Sequence, residues 1–126
     1  MGSYLYEPDG AVIRAGLVNQ VAEQIEGRLV DPAIAYITTD QPAQTPFARA
    51  YRVLDHIDFG LNRLRAYLRD RGVGEVTIKK RGTAVVPEQL RQQLHLSGPN
   101  AATIVLTRLQ GDQSVLVVEP VTGSAQ

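Results

Sequence analysis

Two apolar, β-branched runs close to the C-terminus constrain this chain most. Ala102 to Leu109 (ATIVLTRL) and Ser114 to Glu119 (SVLVVE) are both strand-like, and only Gln110-Gly111-Asp112-Gln113 lies between them. Such runs, joined so briefly, read as a β-hairpin. With Gly111 first in a two-residue turn, the spacing predicts type II′ geometry.

Upstream, helical and strand patterns interleave. Pro8-Asp9-Gly10 signals a helix start with Asp9 as its cap. Ile13, Leu17, Val21 and Ile25 then recur every fourth residue, with Asn19, Glu23 and Glu26 opposite, which predicts one amphipathic helix ending at Gly27. Asp31-Pro32 is a turn, and Ala33 to Thr38 a short strand. The stretch Asp40 to Pro46 (DQPAQTP) carries two prolines and no periodicity. It reads as a loop dividing a helix–strand lobe at residues 4–41 from an α/β lobe at residues 47–121. In the second lobe, Ala48 to Ile57 reads as a strand and Gly60 to Arg71 as a helix with Leu61, Leu64 and Leu68 as its core stripe. Glu75 to Arg81 reads as a strand, and Pro87 opens a short helix with Leu90 and Leu94 as its apolar pair. The order predicts an α+β fold: a mixed sheet with helices on one face, closed by the hairpin. Met1-Gly2-Ser3 reads as a cloning scar, making the chain an excised piece of something longer, and residues 122–126 read as a frayed tail.

Most chemistry is excluded by what is missing. There is no cysteine, so thiol catalysis, zinc ribbons and iron–sulfur clusters drop out, and a reducing, cytoplasmic setting fits. No apolar run approaches the ~20 residues of a membrane span. His56 and His95 lie on different elements, and they read as a surface residue and a helix-end residue rather than as metal ligands. None of Ser3, Ser97, Ser114 and Ser124 sits in a strand–turn–helix elbow. Gly72-Val73-Gly74 follows a helix and precedes a strand, the reverse of a dinucleotide-binding turn. No catalytic residue, no metal site and no cofactor site is expected in this chain.

Charge distribution is the informative feature. Basic and acidic residues balance at 13 each, which excludes coating of nucleic acid by bulk charge. Between Gly60 and Gly82, however, Arg63, Arg65, Arg69, Arg71, Lys79, Lys80 and Arg81 face only Asp70 and Glu75, a local net charge of +5. Such asymmetry points to a polyanion. The helix arginines do not form one line, and their stems can equally cover apolar edges. The run Lys79-Lys80-Arg81-Gly82 is more specific, because it puts three cations at a strand end beside a glycine whose backbone can be approached closely. Phosphate contact and a solvated strand end that blocks edge pairing both fit it. Arg49 and Arg52, at odd spacing on the preceding strand, point to opposite faces, so at most one joins the same patch.

Several stretches resemble one family. They are LYEPDGAVIRAGLV (Leu5 to Val18), DPAIAYITTD (Asp31 to Asp40), TPFARAYRVL (Thr45 to Leu54) and RLRAYLRDRGVGEVTIKKRG (Arg63 to Gly82). The family is the THUMP-like domain at the C-terminus of class I S-adenosylmethionine-dependent methyltransferases, the actinobacterial type especially. The resemblance implies a non-catalytic appendage that recruits RNA, with transfer RNA a candidate, for a tethered methyltransferase domain. S-adenosylmethionine would bind in that absent catalytic domain. The family's basic stretch maps onto Lys79, Lys80, Arg81 and Gly82; together with the +5 segment this makes Lys79, Lys80 and Arg81 the expected phosphate contacts, helped by Arg63 and one of Arg49 or Arg52. One departure is Val86, where an acidic helix cap is expected before Pro87. The alternative is a structural or dimerisation domain that packs on the methyltransferase domain without touching nucleic acid.

Overall fold

The computed structural model describes residues 1–121; the tail read as frayed, residues 122–126, lies outside them. In chain order the elements are β1 (Tyr4–Pro8), α1 (Gly10–Arg14), α2 (Val18–Gln24), β2 (Arg28–Asp31), β3 (Ile34–Thr39), β4 (Ala48–Asp58), α3 (Leu61–Asp70), β5 (Val73–Lys80), α4 (Pro87–Leu94), β6 (Asn100–Leu109) and β7 (Asp112–Pro120). This is the mixed α+β fold expected, a seven-stranded mixed sheet with helices and a terminal hairpin. Contacts divide the described chain into two compact units, residues 1–54 with 119–121, and residues 55–118. The loop at residues 40–46 lies inside the first unit.

In the first unit the strands run in the order β2-β3-β1-β4, all antiparallel. Strand β1 is an addition to the sequence reading. Leu5 and Tyr6 are both buried, so neither face alternates with solvent, and the terminal Pro8 disguises the strand further. Strand β2 is four residues long with a register shift beside Val30, too short and irregular to leave a period. The single helix expected from Asp9 to Gly27 is two. Gly16 turns left-handed (φ 71°) between α1 and α2, and Leu17 is left 44% exposed, while Val12 takes the core position that Ile13 was expected to fill. The Asp9 side chain makes no cap hydrogen bond; its backbone carbonyl accepts from the Val12 and Ile13 amides instead. At Gly27 the constraint is space, since a Cβ would lie 2.6 Å from Ile37 Cγ2, and the left-handed residue at this helix end is Glu26 (φ 55°). The core of this unit gathers Tyr6, Val12, Val21, Ala22, Ile25 and Ile37.

In the second unit α3 and α4 cover one face of β5, β6 and β7. Leu64, Leu68, Leu90 and Leu94 pack on Val76, Ile104, Leu106, Val115 and Val117. Their alternate spacing on the strands is the reason one face receives both helices. β5 and β6 are parallel, joined through α4, and β7 is antiparallel to β6. The hairpin turn differs from the type II′ expectation. Leu109 pairs with Asp112, so the turn residues are Gln110 (φ 53°) and Gly111 (φ 92°). Two successive positive φ angles make it type I′, whose twist matches the flanking strands.

Candidate nucleic-acid interface

Strand β5 forms because Val73, Val76, Thr77 and Ile78 suit a pleated surface. Its start is fixed by a backbone-to-backbone approach: Gly72 carbonyl accepts from the Asn100 amide at 2.9 Å, and Asn100 Nδ2 donates to Arg71 carbonyl at 2.8 Å. Its end carries the basic run. In register, Ile78 pairs with Ile104, Lys79 with Val105 and Lys80 with Leu106. Lys80 therefore shares the helix-covered face with Ile78, and Lys79 and Arg81 share the other, as strand alternation predicts. Lys80 is exposed; Lys79 and Arg81 are half-buried, and each is engaged by another group of the protein. The Arg81 amide donates to Leu106 carbonyl at 3.0 Å, which extends the pairing by one residue before Gly82 (φ 78°) turns the chain away.

The arginines of α3 are placed differently from a polyanion face. Arg65 Nη2 donates to Gln93 carbonyl, and Arg69 Nη2 to His95 carbonyl at 3.2 Å. Both therefore hold the C-terminal carbonyls of α4, where a cation also complements the helix dipole. Arg71 lies 3.5 Å above the Tyr67 ring and donates to Tyr67 carbonyl at 3.1 Å. Arg63 reaches Asp58, 3.4 Å to its carbonyl and 4.0 Å to its carboxylate. It is exposed, so that pair contributes roughly 0–1 kcal/mol and leaves Arg63 available to a ligand.

Tyr67 itself is perturbed. Burial first, then a hydrogen bond and proximity to the Asp55 carboxylate, push its phenol above the ordinary 10.0, against the weaker pull of Arg71. A raised native pKa means the folded state holds its proton longer than the unfolded chain. Its contribution is complete below about pH 10 and is lost as pH rises through the native value. Thermal melts of Tyr67→Phe between about pH 9 and 11 should show a shallower alkaline loss of Tm than the parent; parallel profiles would contradict this.

Arg49 and Arg52 belong to the first unit, on opposite faces of β4. Arg52 pairs with Glu119 at 3.4 Å. Arg49 is exposed, and its hydrogen bond to Tyr51, with the proximity of Tyr51 and Glu7, raises its pKa further. It lines an open cleft of about 930 Å³ with Tyr6, Asp9, Thr45, Tyr51 and Val121. Tyr51 is core, 2% exposed, whereas Phe47 is 44% exposed. The structure thus brings Lys79, Lys80, Arg81 and Gly82 together in one unit, with Arg63 on a helix of that unit, and places Arg49 and Arg52 in the other. Among the described residues no group of three His, Asp or Glu could hold a metal ion, and no helix is long and apolar enough to cross a membrane.

The model of the family described as THUMP domain-like matches residues 48–120, more than half of the chain. The chain belongs to the THUMP domain-like family. A protein of Mycobacterium tuberculosis named "uncharacterized S-adenosylmethionine-dependent methyltransferase" is 37% identical to this THUMP-like domain over 108 residues. It occurs in strains CDC 1551 / Oshkosh and ATCC 25618 / H37Rv, and the match covers 86% of this chain and 30% of that protein. A crystal structure of a "putative methyltransferase" from Porphyromonas gingivalis W83 shares the fold with a TM-score of 0.80 at 23% identity, over 96% of this chain and 30% of that one. The THUMP-like domain therefore spans about 30% of the length of the methyltransferases it matches.

Proposed function

We propose that this THUMP-like domain holds RNA, with transfer RNA the first candidate, for an attached S-adenosylmethionine-dependent methyltransferase domain. On this reading the chain is a C-terminal, cytoplasmic appendage with no catalytic residue or cofactor of its own; S-adenosylmethionine binds the attached domain. Lys79, Lys80 and Arg81 contact phosphates beside the Gly82 backbone, and Arg63, in the same unit, extends the track. The observation that carries this is the position of the basic run. It ends a strand parallel to β6, at the carboxyl end where α/β units commonly take ligands, and Lys80 stands exposed there. Family membership supports it, since THUMP domains generally bind RNA.

Titration of the chain with bulk transfer RNA at two salt concentrations tests the reading. Three or four phosphate contacts predict an affinity of about 10⁻⁴–10⁻⁶ M and a log–log salt slope of about −2 to −4. Binding that ignores salt, or none at low salt, would oppose it. One feature favours the competing, structural reading: β5 is the outermost strand of its sheet, and an outer strand offers backbone groups for pairing with a second chain. A stable dimer in sedimentation, without RNA affinity, would select that reading.

A further inference from the structure

We infer that an apolar notch beside the basic run receives one unstacked base of a single-stranded RNA segment whose phosphates lie on Lys79–Gly82. This rests on the RNA-holding reading above. The notch, about 280 Å³, is lined by Phe59, Leu61, Val85, Val86, Gln89 and Gln93, together with two further apolar residues. Its walls are placed at the basic end of the unit by connectivity and hydrogen bonds. Val85 and Val86 follow Gly82 within a few residues. Phe59 amide donates to Gln113 carbonyl at 3.2 Å, and the hairpin register from Arg108–Gln113 to Leu106–Val115 leads to the carbonyl that binds the Arg81 amide. Lys80 is on the same sheet face as the helices that form the notch.

The chemistry of the lining selects the occupant. None of the lining residues is charged, so a phosphate has no counter-ion inside it, while Lys80 lies on the helix-covered face of the same sheet. An aromatic ring and valines suit a flat, neutral ring, and two exposed amides one helical turn apart, Gln89 and Gln93, suit the polar edge of a base. The volume falls just under the ~300–1,000 Å³ of small-molecule sites, enough for one ring system rather than a whole ligand. Duplex RNA keeps its bases stacked inside, so the occupant comes from a loop or an end. Val86 is an independent sign. It caps α4 with no side-chain hydrogen bond and is 47% exposed, at a position where Ser, Thr, Asp or Asn would stabilise the helix. A valine there weakens the helix start and adds apolar wall to the notch.

The test uses the full chain and a labelled oligoadenylate of about eight nucleotides, the same strand with abasic sites, and its duplex. The single strand should bind about tenfold more tightly than the abasic strand, with equal salt slopes, because stacking is lost while phosphate contacts remain. Val86→Ser should raise Tm by about 2–4 °C through the restored cap. It should also weaken oligoadenylate binding by about threefold or more as apolar wall is lost, and leave the abasic strand unaffected. A Gln89→Ala, Gln93→Ala double variant, exposed on α4, should likewise erode only the base-dependent part. Equal binding of all strands by parent and variants would overturn the notch and leave the phosphate reading standing. No binding by any strand at low salt would overturn both.

Discussion

Exchanging Lys79 and Lys80 for glutamate together is expected to lower transfer RNA affinity on the order of fifty-fold at about 0.1 M salt, and to flatten the salt slope by about two. Each neutralised phosphate contributes about 0.9 to that slope on a duplex, so at about 0.1 M each contact supplies a factor of about eight through released counterions. Losing two gives the expected fall, and the new carboxylates repel the backbone further. Lys80→Glu alone should produce about half of the effect on a logarithmic scale, since Lys80 is the exposed member of the pair. At about 1 M salt parent and variant should converge, because the counterion contribution vanishes there. A double variant that keeps its Tm and binds like the parent at low salt would remove the strand end from the interface.

Gly74→Ala should be the most damaging single-atom change in the second unit. A Cβ at Gly74 would fall inside the van der Waals shell of Gly98 carbonyl oxygen, and one at Gly98 would collide with Gly72 carbonyl. Neither neighbour is a flexible side chain. Relief requires β5 and the turn before β6 to separate, which strains the Asn100–Gly72 hydrogen bond at 2.9 Å. Overpacking of this kind costs about 3 kcal/mol or more, against a total stability of about 5–15 kcal/mol. A Tm drop of about 10 °C or more is expected for Gly74→Ala or Gly98→Ala. Gly10→Ala is the contrast: its Cβ meets only the Arg14 guanidinium at 3.0 Å, the far end of a flexible side chain that can move aside. Melts by circular dichroism separate the two, and a Gly74→Ala chain melting within about 2 °C of the parent would contradict the packing argument.

Those glycines also show where one-dimensional reading stops. Gly72-Val73-Gly74 reads as a helix breaker, whereas its requirement for hydrogen in place of Cβ comes from a turn some 25 residues later in the chain. The arginines of α3 behave likewise. Their spacing shows that they do not form one line, but their partners are backbone carbonyls at Gln93 and His95, which carry no sequence mark. Elements with one wet face were legible: Leu61, Leu64 and Leu68 mark α3, and Val76 and Ile78 mark the inner side of β5. Strand β1 was not, because it is covered on both faces and has no period to detect. The continuous helix failed at Gly16, whose left-handed φ overrides a fourfold apolar spacing that would otherwise continue. Of the site, the basic run was plain in the sequence. The notch was marked only by Val86 standing where a polar cap belongs.

The first unit is discontinuous: residues 1–54 are completed by residues 119–121, with Val121 amide bonded to Ala50 carbonyl at 3.0 Å and Glu119 paired to Arg52. A ribosome adding about 5–20 residues per second therefore releases the opening segment seconds before its closing strand exists. The contiguous unit, residues 55–118, can collapse as soon as its own last strand emerges. The portion synthesised first waits for the end of that same strand, β7, to complete it.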